Sequence, residues 1–389
     1  MIKLEIRLAD LLCSLGFGRE GTVSHGIPQA LARATGLSRQ TVAALIRGEV
    51  RRVDLESLER ICSWLQSKTG ATPEDLVKSL LRVGPPDLWV AIARRHTAII
   101  GIGQYRYRDS ADRERSWIAP GDAEAQTSVV HFLSTRGNAD DFSPAIETRY
   151  VPFRLAAEKS GCEQEFQEDV RKARAIYEPV RKRQSPAAWI LIGSQRTTYL
   201  VELMVADLFS CQAFQSDPQE RVPFYLTYRE DEHNPVRSCF GGRCEPLGPR
   251  GRGTRHVWLK DRGGKWTLRR FKQNPEPTPG LWYKGPDGGW VLVPYRENES
   301  DAGMVLVQRV LNGDLAATAL FGFSGRATAA VGRLLERRPQ CFWPPYARAG
   351  SGLQVGAYVC RFEMTRVDEK IEEAEVIPID PGVLQRSGG

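Results

Sequence analysis

The sequence predicts an all-α head of five short helices, followed by a larger α/β region that contains an antiparallel β excursion. Three observations predict this fold class. Up to residue 84, apolar residues recur at helical spacing between helix caps. From Leu88 onward, β-branched and aromatic residues form short runs typical of strands. The Gly84-Pro85-Pro86 turn separates the helical pattern from the strand pattern. We therefore expect one domain at residues 1–84 and a second region at residues 85–389, with a candidate subdivision near residue 183.

Composition places the chain among globular proteins with more than one domain. It has 389 residues, of which 41% are hydrophobic and 26% are charged. A net charge of +7 favours a polyanionic partner. The eight cysteines form no regular framework, which indicates reduced thiols. Because the sequence has neither a signal peptide nor an apolar run long enough for a membrane span, we expect a cytoplasmic, nucleoid-associated protein.

Residues 28–48, PQALARATGLSRQTVAALIRG, have the spacing of two helices joined by a tight turn. Pro28 suits the first turn of a helix, where its missing N–H has no cost. Ala32 is small enough for a second helix to cross closely. Gly36 can adopt the left-handed conformation that ends a helix and lets the chain turn within a few residues. This is the pattern of a helix-turn-helix.

The second helix of this motif has an apolar face and a small, basic, polar face. Ser38 is a good N-cap, and the residues expected to point inward are Val42, Leu45 and Ile46. The opposite face carries Arg39, Gln40, Ala43, Ala44 and Arg47. Arginine pairs with guanine and glutamine with adenine in the major groove, so this face fits double-stranded DNA. The alternative is an ordinary helix hairpin with a solvated basic face.

Five segments resemble the successive helices of the XRE family (Cro/CI-type) of bacterial and phage repressors: MIKLEIRLADLL, PQALARAT, SRQTVAALIRG, DLESLERICSWL and TPEDLV. The resemblance implies an operator-binding transcriptional repressor that works as a homodimer. The DNA-binding residues expected from the motif and the resemblance together are Gln29, Ser38, Arg39, Gln40, Thr41, Ala43, Arg47, Arg51 and Arg52. In one departure from the family, the segment Gly16–Gly26 is longer than usual.

Two β–α units indicate a Rossmann-like layer in the C-terminal region. In the first, the apolar run at 189–192 meets Gly193-Ser194 before a helix, and in the second, residues 316–323 precede the turn Ser324-Gly325-Arg326. Such turns lie at the carboxyl ends of strands, where helix N-termini can hold an anionic ligand. Neither turn is a GxGxxG motif or a P-loop, so two ordinary β–α connections are the alternative.

The stretch GSQRTTYLVE also resembles a Gly-Ser turn with a downstream Glu in uncharacterised domains fused to such repressor heads. This resemblance implies a sensor domain for a small, anionic or nucleotide-like ligand. No cofactor is expected. The expected ligand-binding residues are Gly193, Ser194, Arg196, Thr197, Glu202, Ser324, Gly325 and Arg326.

Residues 237–272 are strongly basic, with eleven Lys or Arg against Glu245 and Asp261. Trp258 and Trp266 are interleaved with these charges. Such a segment could bind nucleic acid by phosphate contacts and stacking, or cover an anionic ligand as a lid. The favoured interpretation is a solvated β-hairpin that turns at Gly263-Gly264.

Catalytic and metal-binding motifs are weak. The pair Cys239 and Cys244, with His233 upstream, lacks a fourth zinc ligand, and no catalytic triad or HExxH motif occurs. We therefore expect no metal and no catalytic residue, and a sequence-specific DNA-binding regulator, a repressor with a C-terminal ligand-sensing and dimerisation domain. The alternative is a nucleotide-processing enzyme or defence effector with a DNA tether, which would use the carboxylate of Glu202 near Ser194.

Overall fold

The computed structural model divides into two compact units, residues 1–87 and residues 88–389. The expected boundary after residue 84 lies close to this division. The structure describes residues 4–6, 8, 11–12, 15, 17–19, 22–46, 54–70, 76, 81–83, 92, 95, 97–108, 111, 113–139, 144–153, 162–182, 187–194, 196–217, 219–228, 238–243, 255–261, 265–271, 278–310, 315–342, 346–347, 353–365, 370–371 and 373–386.

The first unit is built on three described helices, α1 (Ile27–Thr35), α2 (Arg39–Ile46) and α3 (Leu55–Thr69). Further helical positions at Leu8, Leu11, Leu12 and Leu76 are buried with them in one apolar cluster. The α3 stripe of Leu58, Ile61, Cys62 and Leu65 lies in the same cluster, as its spacing predicts. The helical character of the head is confirmed, although the count of five helices extends beyond the described residues.

The expected first helix begins too early. Leu4–Ile6 forms strand β1, which pairs antiparallel with β4 (Leu81–Val83), so the prediction of one helix over MIKLEIRLADLL is wrong at its start. Leu-Glu-Ile alternates with the period of a strand, whereas the helical period begins at Leu8. The long segment Gly16–Gly26 contains a short antiparallel pair, β2 (Gly18–Arg19) and β3 (Thr22–Val23).

The second unit is a mixed α/β fold. Its strands are β5 (Thr97–Arg108), β6 (Glu114–Trp117), β7 (Ala145–Phe153), β8 (Ala188–Ile192), β9 (Phe224–Tyr228), β10 (Gly241–Arg243), β11 (Arg255–Lys260), β12 (Trp266–Phe271), β13 (Gly280–Lys284), β14 (Trp290–Pro294), β15 (Ser300–Val310), β16 (Leu315–Gly322), β17 (Tyr346–Ala347), β18 (Leu353–Glu363) and β19 (Glu375–Pro378). Its α-helices are α4 (Pro120–Ala139), α5 (Cys162–Arg181), α6 (Tyr199–Leu208), α7 (Gly325–Arg337) and α8 (Pro381–Arg386). Among the described helices, none is long and apolar enough to cross a membrane.

A nine-stranded sheet forms the centre of this unit, in the order β17-β18-β15-β16-β8-β5-β6, with β19 beside β18 and β7 beside β5. The stretch β7-β5-β8-β16 is parallel, and β15 and β18 continue the sheet antiparallel. Parallel strands are usually covered on both faces, which accounts for the continuous apolar run of β8. Both predicted β–α units are present, in β8–α6 and in β16–α7.

The alternation of side chains along the central strands divides the core between two layers. Trp189 and Leu191 face a cluster that includes α5, α6 and the second sheet. Ala188, Ile190 and Ile192 face the other cluster, which includes α4 and α7. The helices α4 and α7 approach closely, because a Cβ on Gly332 would lie 2.7 Å from Ala125 Cα.

The second sheet is the expected antiparallel excursion, in the order β10-β9-β13-β14-β11-β12, although β9 and β10 run parallel, as do β11 and β14. The basic segment contributes β11 and β12 as an antiparallel pair, which confirms the hairpin, while its turn at Gly263-Gly264 lies outside the described residues. The Arg361 guanidinium lies 4.9 and 4.8 Å from the ring centres of Trp258 and Trp266. The two tryptophans therefore attach the hairpin to β18.

Candidate functional site

A cavity of about 380 Å³ lies at the carboxyl ends of β8 and β16, beside Gly103 and Tyr105 of β5. This is the position in an open α/β sheet where helix N-termini and strand ends converge on a ligand. The two turns predicted from the sequence meet here. The lining residues are Gly103, Tyr105, Trp117, Ala119, Asp122, Ser194, Arg196, Thr197, Tyr295, Gly322, Phe323, Ser324, Gly325 and Thr328.

The turn after β8 is fixed by backbone hydrogen bonds. Gly193 has a φ of 112°, which favours glycine, and its N–H donates to the carbonyl of Leu320 on β16. The carbonyl of Ser194 accepts from the N–H groups of Thr197 and Thr198, both at 2.9 Å. The Thr198 hydroxyl then caps α6 by accepting from the N–H of Leu200. This arrangement directs the N-terminus of α6 toward the strand ends.

Glycine is required where β5 passes this turn. A Cβ on Gly103 would lie 1.4 Å from the carbonyl oxygen of Thr197, so the backbones of β5 and the turn are in direct contact. A side chain at this position would separate β5 from the β8–α6 turn. The close approach brings Tyr105, two residues further along β5, to the cavity.

The turn after β16 starts α7 at the same cavity. Ser324 is the N-cap, and its hydroxyl oxygen accepts from the N–H of Ala327 at 3.1 Å. Gly325 touches the start of α4, since a Cβ on Gly121 would lie 1.9 Å from the Gly325 carbonyl oxygen. The N-termini of α4, α6 and α7 therefore converge, and each supplies a partial positive charge.

Asp122, in the first turn of α4, is the carboxylate of the cavity. It is only 1% exposed, and among the described residues its Oδ2 has no hydrogen-bond partner. Burial raises the pKa of Asp122 to about 6, and the neighbouring Thr197 hydroxyl opposes this shift. A buried acceptor without a donor destabilises the folded protein, so a hydrogen-bond donor from a bound molecule would stabilise this oxygen.

A second buried carboxylate, Asp301 on β15, stands behind the turn after β16. It accepts from the Ser324 hydroxyl and from the N–H of Ala302 at 2.7 Å. Burial raises the pKa of Asp301 to about 7, despite these hydrogen bonds. Because Asp301 does not line the cavity, we assign it to positioning Ser324 at the start of α7.

Five of the eight residues expected to bind a ligand line this cavity: Ser194, Arg196, Thr197, Ser324 and Gly325. Gly193 lies directly behind the wall, since a Cβ there would lie 2.7 Å from Asp122 Oδ2. Arg196 also places its guanidinium 4.6 Å from the ring centre of Tyr228.

Besides Gly193, two expected residues do not line the cavity. Glu202 is 1% exposed within α6, and its carboxylate accepts from Phe214 N, Cys239 N and the Ser238 hydroxyl at 2.8, 2.8 and 2.7 Å. Helical spacing turns Glu202 away from the turn and into the core. Arg326 donates instead to the carbonyl of Thr365 at 2.6 Å.

Asp122, Tyr105, Trp117 and Tyr295 are cavity residues that sequence reasoning missed. The dipeptide Pro120-Gly121 before Asp122 has the form of a helix start, which could have indicated a third helix N-terminus. The aromatic residues give no such signal, because only the sheet order brings their strands together. Of the weak zinc pattern, His233 and Cys244 lie outside the described residues.

The head has the geometry of a helix-turn-helix. Gly36 adopts the expected left-handed conformation, with a φ of 70°, at the end of α1. The Ser38 hydroxyl accepts from the N–H of Thr41 at 3.0 Å and caps α2. Val42 and Leu45 are buried and Ile46 packs at the edge of the same cluster, so the predicted apolar face of α2 is confirmed.

Comparison with known families agrees with this geometry. Residues 28–78 match the family model of the Cro/C1-type HTH DNA-binding domain. These residues form a Cro/C1-type HTH DNA-binding domain. Searches of curated proteins and of solved structures found no match to the chain.

The Cro/C1-type domain exposes the N-terminal side chains of α2. The exposed residues are Ser38, Arg39, Gln40 and Thr41, whereas Ala43 is half-buried. With its amide oxygen facing the guanidinium groups, Gln29 accepts from Arg39 at 2.8 Å and from Arg33 at 2.9 Å. Gln29 therefore joins α1 to the exposed face. The remaining expected DNA contacts, Arg47, Arg51 and Arg52, lie outside the described residues.

Proposed function

We propose that the protein is a sequence-specific, DNA-binding transcriptional repressor that acts at the nucleoid. The exposed N-terminal face of α2 is the observation that carries the proposal. Arg39 and Gln40 stand on a helix that is fixed from behind by Val42 and Leu45, so their side chains have a rigid base. Such a helix reads the major groove through the side chains near its N-terminus.

The side chains of the head divide by role in this proposal. Arg39 and Gln40 contact base edges, and Thr41 and Ala43 sit against the groove. Gln29, held against Arg39, contacts the phosphate backbone near the N-terminus of α1. Ser38 caps α2. From the sequence alone, Arg51 and Arg52 are assigned to phosphates, and Arg47 to the groove-facing side of the helix.

Genome-wide mapping of DNA bound by the intact protein tests this function. The expected result is a small set of enriched sites that share one motif, with two half-sites about one helical turn apart. Binding spread evenly along the genome, or no enrichment at all, would contradict sequence-specific regulation. Loss of repression at those promoters when the gene is deleted would show the sign of regulation.

The C-terminal region is proposed as the sensor and dimerisation domain. The converging helix N-termini and the cavity at the parallel strand ends support a Rossmann-like arrangement for a small anionic ligand. A dimer follows from the two half-sites that a head of this size needs for affinity. Light scattering of the purified protein should give twice the chain mass of 43.5 kDa, whereas a monomer at working concentration would contradict the dimer.

Nucleotide processing is a second candidate function, and Asp122 favours it. The predicted catalytic carboxylate, Glu202, is occupied by three donors, but Asp122 lines the cavity with a pKa of about 6, within the range of a general base at neutral pH. Incubation of the protein with a nucleotide panel should release products that vanish in Asp122→Asn. Unchanged nucleotides after prolonged incubation would eliminate this function.

A further inference from the structure

Aromatic side chains flank the cavity on two sides. Tyr105 and Trp117 form a pair with ring centres 5.2 Å apart, and Tyr295 and Phe323 form a second pair at 4.9 Å. Tyr105 lies on β5 and Phe323 follows β16, which are the two neighbours of β8. Trp117 pairs with Tyr105 on the edge of β5 that β8 occupies earlier in the strand, so its strand β6 lies beyond the end of β8, beside the cavity. Trp117 is 44% exposed although it lines a cavity, as expected of a stacking surface that is accessible to a ligand.

Two helices begin at the same cavity. The turn after β8 leads into α6 at Thr198, and the turn after β16 leads into α7 at Ser324. Both helices begin at the cavity, and Arg196 adds a formal positive charge to its lining. Helix N-termini bind phosphate through their first backbone N–H groups and their dipoles.

The Asp122 carboxylate favours a ligand that carries a hydrogen-bond donor in addition to an anionic group. An ionised carboxylate only accepts hydrogen bonds, and Oδ2 has no donor among the described residues. The neighbouring Thr197 hydroxyl lowers the pKa of Asp122, but Oδ2 itself makes no hydrogen bond to any described residue, and Asp122 lines the cavity. A hydroxyl or amino group supplies such a donor, whereas a bare phosphate does not.

We propose that the cavity binds a ribonucleoside 5′-monophosphate, with its base between the aromatic pairs, its phosphate at the two turns, and a ribose hydroxyl donating to Asp122. A planar ring, an anion and a hydroxyl donor occur together in this class of molecule. The cavity of about 380 Å³ lies in the size range of small-ligand sites. The inference deepens the proposed sensor function and rests on it for its biological meaning, although binding can be measured without DNA.

Titration calorimetry of the full chain with the four ribonucleoside 5′-monophosphates tests the proposal. Their 2′-deoxy and 3′-deoxy counterparts, the free nucleosides and inorganic phosphate serve as comparison probes. At least one ribonucleotide should bind, and removal of the hydroxyl that contacts Asp122 should weaken binding roughly ten- to hundredfold, as for a hydrogen bond to a charged group. Equal affinity for ribonucleotide and deoxynucleotides would overturn the ribose contact, and binding of phosphate alone would overturn the class of ligand.

Two variants, with one control, separate the ribose contact from base stacking. Asp122→Asn should lose most of the discrimination between ribose and deoxyribose, whereas Asp169→Asn, a change at a buried aspartate on α5 outside the cavity, should retain it. Trp117→Leu should weaken all nucleotides about tenfold or more through lost stacking while preserving the ribose preference. Because Trp117 is partly exposed, this variant should fold even if Asp122→Asn does not. Unchanged affinity in Trp117→Leu would overturn the stacking arrangement.

The failure of this inference can be distinguished from the failure of the proposed regulator. If no nucleotide binds the isolated protein, the ligand class is wrong while operator binding is unaffected. If a ribonucleotide binds but leaves the operator affinity unchanged at saturation, the site stands and its sensor role is wrong.

Discussion

Replacement of Asp122 by Asn should change how the stability of the protein depends on pH. The pKa of this carboxyl is raised from 3.8 to about 6 in the folded protein, chiefly by burial. A raised folded-state pKa means that the folded state binds the proton more tightly than the unfolded state. Stability is therefore highest below the unfolded pKa and falls as the pH rises toward about 6. At 1.36 kcal/mol per pKa unit, the full loss amounts to about 3 kcal/mol.

An asparagine side chain does not titrate, so the Asp122→Asn variant lacks this loss. Between pH 4.5 and pH 7.5, the unfolding free energy of Asp122→Asn should improve relative to wild type by about 2 kcal/mol, because part of the transition lies below pH 4.5. For a unit of this size, that corresponds to a relative shift in Tm of about 3 °C. Any fixed cost of the amide cancels between the two pH values.

Tryptophan fluorescence during thermal unfolding measures this effect, because every tryptophan except Trp64 lies in residues 88–389. Asp301→Asn provides an independent comparison, since burial also raises the pKa of Asp301, to about 7. The stability of Asp301→Asn relative to wild type should likewise improve with rising pH, over a window that extends to about pH 7. A difference in unfolding free energy between Asp122→Asn and wild type that is the same at both pH values would contradict a raised pKa of Asp122 in the folded protein.

Three further predictions test other parts of the structure. Gly121→Ala should destabilise the protein by about 1–3 kcal/mol in thermal or urea unfolding, because the new Cβ would lie 1.9 Å from the Gly325 carbonyl oxygen. Gly325→Ala is the control: its Cβ would have no atom nearer than 3.8 Å, so its stability should stay within about 0.5 kcal/mol of wild type. Glu202→Leu should cost about 1.5–3 kcal/mol or more in the same assay, because leucine has no acceptor for the N–H groups of Phe214 and Cys239 and the Ser238 hydroxyl, and unchanged stability would contradict the assigned contacts. Changing Arg51 and Arg52 to Ala should weaken binding equally for specific and random DNA. In titrations at several salt concentrations, the slope of log affinity against log salt concentration should fall by about 2 in magnitude. A loss of affinity that depends on the DNA sequence would argue against phosphate contacts.

Local signals in the sequence were sufficient for the helix-turn-helix and for both β–α units. The left-handed Gly36, the Ser38 cap and the inward Val42 and Leu45 depend on residues within a few positions of one another. Caps and helical period act at that range, so they can be predicted from one sequence.

The predicted start of the first helix failed for a reason that is not local. Leu4–Ile6 pairs with Leu81–Val83, about eighty residues away, and short apolar segments can adopt either structure according to the partner they find. The pairing therefore could not be predicted from residues 1–12 alone.

The composition of the cavity was likewise only partly predictable. Ser194 and Ser324 follow strands and precede helices, so their place at strand ends was predicted from the pattern. Asp122 and Tyr295 reach the cavity because of the sheet order and the contact of α4 with α7, which no local pattern encodes. Glu202 was expected at the cavity, but it is buried by backbone donors of Phe214 and Cys239, which are distant in sequence.

DNA reading by α2 can be tested by the affinity of the intact protein for its mapped operator and for random DNA, in wild type and in Arg39→Ala, Gln40→Ala and Lys68→Ala. Lys68 is an exposed basic residue in the last turn of α3 and serves as the matched control. We expect each of the first two variants to lose about 1–3 kcal/mol on the operator with little change on random DNA, and Lys68→Ala to bind as wild type. Operator affinity that is unchanged in both Arg39→Ala and Gln40→Ala would contradict DNA reading by α2.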